Sequence, residues 1–183
     1  MFNLNRRGNQ RRQRGQSLAE FAMVAPIFFL LVFGVIQLGL VMAAQNGVVD
    51  GVRSAARRAA TYRINEGSFD ATVFPSICDT IEAELATRLR DRVIGYNASR
   101  VTSSITYEWV KNDFPQDPLR AEYFLVARVD ATFSNPLYVP LISFFLDGTD
   151  GTVDDSLALS ASEQMRVENP GLQTPASLAA RPC

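Results

Sequence analysis

Twenty-four consecutive residues, Phe21 to Ala44 (FAMVAPIFFLLVFGVIQLGLVMAA), carry no formal charge. At ~1.5 Å rise per residue such a helix is roughly 36 Å long, more than the hydrocarbon core of about 30 Å. A transmembrane helix, with its span at about residues 21–44, is the first expectation. The charge around it is uneven. Arg6, Arg7, Arg11, Arg12 and Arg14 all precede the first acid, Glu20. Removing these five charges from the net −1 leaves −6 on the rest of the chain. A dense basic cluster on the N-terminal side predicts a cytoplasmic N-terminus, with everything after about residue 45 outside the inner membrane. The cluster has no interleaved aromatics and runs directly into the span. Membrane anchoring therefore accounts for it, and no nucleic-acid partner is expected. A secretory signal fits poorly, because the apolar segment exceeds the usual length of about 7–15 residues and Gln37 interrupts it.

The junction reads Arg14-Gly15-Gln16-Ser17-Leu18-Ala19-Glu20-Phe21. It resembles a prepilin processing site: a basic leader, a glycine, then an apolar helix with Glu at the fifth mature position. Glycine lets the backbone lie against a membrane protease, so cleavage is expected between Gly15 and Gln16. A new α-ammonium at Gln16 is costly beside hydrocarbon, and a carboxylate one turn on, Glu20, can neutralise it on a neighbouring subunit. In pilin-like families that pairing sets axial register. The simpler account of Glu20 is an acid that favours the first helical turn through the helix dipole.

The wider pattern narrows the resemblance. Residues 14–22 (RGQSLAEFA), Pro26, the glycines Gly34 and Gly39, and residues 51–57 (GVRSAAR) resemble the TadE-like family, minor pseudopilins of tight-adherence (Flp) pilus systems that include TadE and TadF. Val52 stands where that family commonly has Ala. The resemblance covers about residues 14–60 well and the remainder loosely. It implies a pilin-like fold and a role in pilus assembly. The implied partners are a prepilin peptidase, other pilin or pseudopilin subunits, Tad assembly-platform proteins and the lipid bilayer. Pro26 lacks the donor for the Ala22 carbonyl and tends to kink a helix, either as a tolerated membrane proline or as a bend that helps filament packing. The alternative reading of the whole chain is a single-pass envelope anchor or scaffold that enters no filament.

Small residues recur every four positions: Gly39, Ala43, Gly47, Gly51, Ala55 and Ala59. Such a row lets another helix approach closely, together with Gly34 within the span. It continues past the membrane, so one helix is expected over residues 16–62. The row can seat another subunit's helix or the protein's own sheet. Gly47 and Gly51 each weaken a helix by about 1 kcal/mol relative to Ala, so a flexible joint is a further reading.

Residues 1–15 thus read as leader, 63–168 as a periplasmic α+β domain and 169–183 as a loosely ordered tail. In the domain, Asp79-Thr80-Ile81-Glu82 resembles a capping box that opens a second helix reaching about Ile94, with Ile81, Leu85, Leu89 and Val93 near one face and Gly95 to end it. Residues 101–110, 120–133 and 156–167 read as strands of a short antiparallel sheet against the helices. Residues 135–146 (NPLYVPLISFFL) are apolar, with Pro136 and Pro140 arguing against a central strand. They read as a core-capping loop or short helix, or as an exposed patch for membrane or partner contact. Asp147, Asp150, Asp154 and Asp155 form an oxygen-rich stretch. It can bind calcium, but the spacing is not that of an EF-hand, and a solvated hairpin tip explains it equally well. Cys78 and Cys183 lie on the same side of the span and can form a disulfide in an oxidising periplasm, or remain free, or pair between molecules. There is no histidine, which excludes His-based catalysis and ligation. No catalytic constellation appears, and neither enzymatic activity nor a cofactor is expected.

Overall fold

The computed structural model describes residues 6–114, 117–139, 155–168 and 180–183. It has an α+β architecture with one long apolar helix, a second helix and a small antiparallel sheet. Helix α1 runs unbroken over Arg6–Thr61, 56 residues. Pro26 lies inside it without ending it. The helix is long and apolar enough to cross a membrane.

The two ends of α1 live in different surroundings. From Leu18 to Ile36 its large apolar side chains are exposed, among them Phe21, Met23, Ile27, Leu31 and Val35. From Ala44 onward one face is buried: Ala44, Val48, Val52, Ala55, Ala56 and Ala59. This face packs on the rest of the domain, α2 on one side and the sheet on the other. Arg53 and Glu163 add an ion pair from helix to sheet at 3.7 Å, and the Gln45 side-chain amide donates to the Ser160 carbonyl at 3.1 Å.

The end of α1 is closed by the sheet. A helix leaves its last carbonyls without intrahelical donors. Here the buried Tyr107 hydroxyl donates to the Ala59 carbonyl at 3.1 Å, and the Glu168 amide donates to the Ala60 carbonyl at 3.0 Å. These contacts fix where α1 meets the far end of the sheet.

A short 3₁₀ turn at Glu66–Phe69 leads to α2, Phe74–Arg92. The helix starts five residues before the expected Asp79 cap. Pro75 sits in its first turn, where the missing N–H is no loss and the fixed φ suits a helix. The Asp70 carboxylate accepts from the Thr72 amide at 2.8 Å and hydroxyl at 2.7 Å, shaping the turn ahead of it. These two bonds hold the Asp70 carboxyl below the usual carboxylate range. Asp79 is exposed on a later turn. The apolar spacing is as expected, with Ile77, Ile81, Leu85 and Leu89 buried. Helix α2 ends at Arg92, and Gly95 follows with φ +76°, a conformation that favours glycine.

The sheet has four strands: β1 (Val101–Phe114), β2 (Asp117–Pro136), β3 (Ser156–Arg166) and β4 (Arg181–Pro182). Their order is β3-β2-β1-β4, antiparallel throughout. β1 and β2 form a long hairpin whose register runs from Val101↔Phe133 to Asp113↔Ala121 and shifts before Phe114. Both strands extend further than their apolar alternation. On β2, Leu125, Ala127, Val129, Ala131, Phe133 and Asn135 face inward, and on β3 Leu159 does so. Pro136 closes β2 opposite Ser156, at a strand end where a missing donor is tolerated.

The C-terminus differs from the expected loose tail. β4 pairs with β1 through Thr106↔Pro182 and Tyr107↔Arg181, and the Cys183 amide donates to the Ile105 carbonyl at 2.9 Å. Cys183 forms a disulfide with Cys78 of α2, with a Cα–Cα distance of 5.6 Å. Residues 169–179 lie outside the described residues.

Candidate processing and assembly site

The candidate site residues fall on α1 in two groups. Gly15 and Gln16 lie within the helix, one turn before Glu20, which is exposed on the rim of the apolar surface. Pro26 is about 1.7 turns further on. Phe28, Phe29 and Phe33 follow as an aromatic ridge. Phe28 and Phe29 meet edge-on with centroids 5.7 Å apart, and Phe29 stacks on Phe33 at 6.1 Å. No part of the domain's buried core reaches this stretch.

The second group is the row of small residues, and its two halves have different fates. Gly34 is half-buried, while Gly39 and Ala43 are exposed. A Cβ at Gly39 would meet nothing within 4 Å. Gly47 and Gly51 are buried against the protein's own helix α2. A Cβ at Gly47 would lie 2.9 Å from Val93 Cγ2 and 3.0 Å from the Arg92 carbonyl oxygen. A Cβ at Gly51 would lie 3.0 Å from Leu89 Cδ2. At Gly47 and Gly51 the row thus seats the protein's own helix α2, while at Ala59 it meets Tyr107 of the sheet. Glu20 and Gly47 are about 40 Å apart along α1, so the two groups act separately.

Gln37 is the feature that sequence reasoning missed as a contact. It was legible only as a polar interruption of the span. In the structure it is fully buried, and its Oε1 accepts from the Tyr138 amide at 3.1 Å. Its Nε2 has no hydrogen-bond partner among the described residues. Leu137 is buried and Tyr138 exposed beside it, so the start of the apolar 135–146 stretch returns to α1. Residues 140–146 lie outside the described residues, as do Asp147, Asp150 and Asp154 of the calcium reading. Asp155 is described, with φ 56° and its carbonyl accepting from the Leu137 amide at 3.0 Å. Among the described residues no group of three His, Cys, Asp or Glu side chains could hold a metal ion.

An open groove of about 500 Å³ runs between α1 and α2, lined by Ser54, Arg57, Arg58, Thr61, Glu84 and Thr87 among others. Its one acid, Glu84, accepts from Arg88 Nε at 2.8 Å and from the Ser54 hydroxyl at 3.1 Å. Arg88 holds the Glu84 carboxyl below its ordinary range against the opposing effect of desolvation.

No curated protein and no solved structure matches the chain. A family model does: residues 15–57 match that of the TadE-like proteins, the family the N-terminal motif resembles. The match begins at Gly15 and ends in the stretch of α1 that packs on α2. It covers the exposed apolar half of the helix and the glycines that seat the domain. Over residues 15–57, the long helix of this chain is similar to the TadE-like family.

Proposed function

We propose that the chain is a minor pseudopilin: a prepilin peptidase cleaves it after Gly15, and the mature chain acts in building a Tad/Flp-type adhesive pilus. The TadE-like family suggests involvement in Tad pilus systems. The observation that carries the reading is that the family match covers the stretch of α1 which the domain leaves bare. Large apolar side chains from Leu18 to Ile36 project with little cover from the domain. Such a surface is stable in lipid or against other apolar helices, and a subunit that passes from bilayer to filament needs both.

The five arginines of the leader favour a cytoplasmic N-terminus in the bacterial inner membrane and a periplasmic domain. The Cys78–Cys183 disulfide suits such an oxidising compartment. Cleavage at Gly15 frees an ammonium at Gln16. Glu20, one turn on, is exposed, and in this reading it pairs with that ammonium on a neighbouring pilin or pseudopilin subunit. The pairing would neutralise two charges that are each costly beside hydrocarbon. Tad assembly-platform proteins are the expected membrane partners.

Piliation tests the reading. Deleting the chain should abolish or strongly reduce surface pili seen by electron microscopy, and re-expression should restore them. Glu20→Ala should be processed yet fail to restore piliation, whereas Glu20→Asp should restore it partly. Normal pili in the deletion strain would refute the pilus role and leave an envelope anchor as the reading. Normal pili with Glu20→Ala would remove the register role alone.

A further inference from the structure

The bond between Gln37 and Tyr138 fixes the depth of the domain relative to the bilayer. If the hydrocarbon core begins at Phe21, just after Glu20, its ~30 Å ends near residue 41 at 1.5 Å per residue. Gln37 is then about 6 Å inside the outer edge. The Tyr138 backbone donates to its side chain, so Tyr138 is held at that level. The exposed Leu38 and Met42 of α1 occupy the same zone.

A second contact agrees. The end of α2 lies beside Gly47, where a Cβ would crowd Arg92 and Val93. Ile94 follows at once and is 53% exposed, while Tyr138 is 52% exposed. A Cβ at Gly95 would collide with the Tyr138 hydroxyl, so the α2–β1 turn and the end of β2 are packed together. The sheet runs alongside α1 from here. The Ser160 carbonyl meets Gln45, and Tyr107 meets Ala59 some 20 Å further out. The domain therefore has a base, made of the 93–96 turn and the start of the 137–139 segment, that faces the membrane.

We propose that this base is a second membrane contact, in which Tyr138 and Ile94 enter the outer leaflet beside α1. The domain then rests on the lipid surface, and α1 has no bare stalk between bilayer and domain. Tyrosine is suited to this level, with an apolar ring and a polar tip at the headgroup boundary. The occupant is lipid, because the depth set by Gln37 lies within the apolar span and the neighbouring α1 side chains are themselves lipid-facing. The proposal rests on α1 crossing a bilayer, which the function proposed above also requires.

Tryptophan quenching in nanodiscs tests it with the full chain. Trp109 is the only tryptophan and lies on β1 near Tyr107, toward the end of the sheet far from the membrane. Wild-type protein should fluoresce equally in ordinary and in shallow-brominated phosphatidylcholine. In a Trp109→Phe background, Tyr138→Trp and Ile94→Trp should each lose most of their emission in the brominated lipid. Phe33→Trp in the same background reports the span itself. Quenching at position 33 but at neither 94 nor 138 would overturn the membrane contact and leave the span intact. It would point instead to a base covered by protein or raised on a stalk. No quenching at position 33 would overturn the span and the proposal with it.

Discussion

Gly47→Ala is the sharpest test of the packing between α1 and α2. Replacing glycine in a helix by alanine gains about 1 kcal/mol of helix propensity. At Gly47 the new methyl would sit 3.0 Å from the Arg92 carbonyl oxygen and 3.1 Å from its carbon, backbone atoms that move only if the end of α2 moves. Overpacking of that kind costs about 1–3 kcal/mol. The net effect should be a loss of up to ~2 kcal/mol. Gly51→Ala is the matched control. Its methyl meets Leu89 Cδ2 at 3.0 Å, Leu89 Cγ at 3.4 Å and Leu85 Cδ1 at 3.6 Å, all side-chain atoms that can give by a few tenths of an ångström. There the propensity gain should roughly cancel the crowding. Chemical unfolding of the domain in detergent micelles, followed by Trp109 emission, reads both. The Gly47 variant should unfold at clearly lower denaturant than wild type, and the Gly51 variant close to it. A Gly47 variant as stable as wild type and as Gly51→Ala would mean that α2 does not rest on α1 as described.

The disulfide closes a separation of 105 residues, which the chain-entropy model values at about 4.7 kcal/mol, so Cys78→Ser/Cys183→Ser should lower the unfolding midpoint and free β4 from β1. An unchanged midpoint, with Cys183 still protected from hydrogen exchange in wild type, would contradict it. Tyr107→Phe removes the donor to the Ala59 carbonyl and should cost about 1–3 kcal/mol, measured by the same unfolding assay. Burial pushes the Tyr107 phenol well above its ordinary value. Its neutral form is therefore favoured in the folded state, and the contribution is intact below the unfolded pKa of about 10. Stability should fall above that pH by up to ~1.4 kcal/mol per unit, and Tyr107→Phe should remove this part of the slope.

What the sequence revealed depended on how local each signal is. α1 was legible because a long uncharged run has few other places to go, and the buried face of α2 because Ile81, Leu85 and Leu89 repeat at helical spacing. The start of α2 was misread because Asp79 and Glu82 imitate a cap, while Pro75 provides the actual first turn. The small-residue row announced close packing but not its occupant. Leucines of α2 and side chains of a sheet satisfy the same apolar requirement, and only the tertiary arrangement selects between them. β4 is two residues long, too short for any period, and is held by a disulfide and one register of β1. Gln37 was visible as a polar break, but its partner lies 101 residues away, a separation that no local pattern encodes. The Gly15–Glu20 motif is the opposite case. It was wholly legible in sequence, while the structure adds its position on a continuous helix and the exposure of Glu20.

The central claim is that Gly15 marks a processing site, and the mass of the chain tests it most directly. The protein should be isolated from cells with and without the prepilin peptidase and measured intact, with N-terminal sequencing of the same material. With the peptidase, the mature chain should begin at Gln16 and retain the disulfide. Without it, or with a bulky residue replacing Gly15, the leader should remain. A chain that keeps its leader in the presence of the peptidase while still supporting pilus formation would contradict the account.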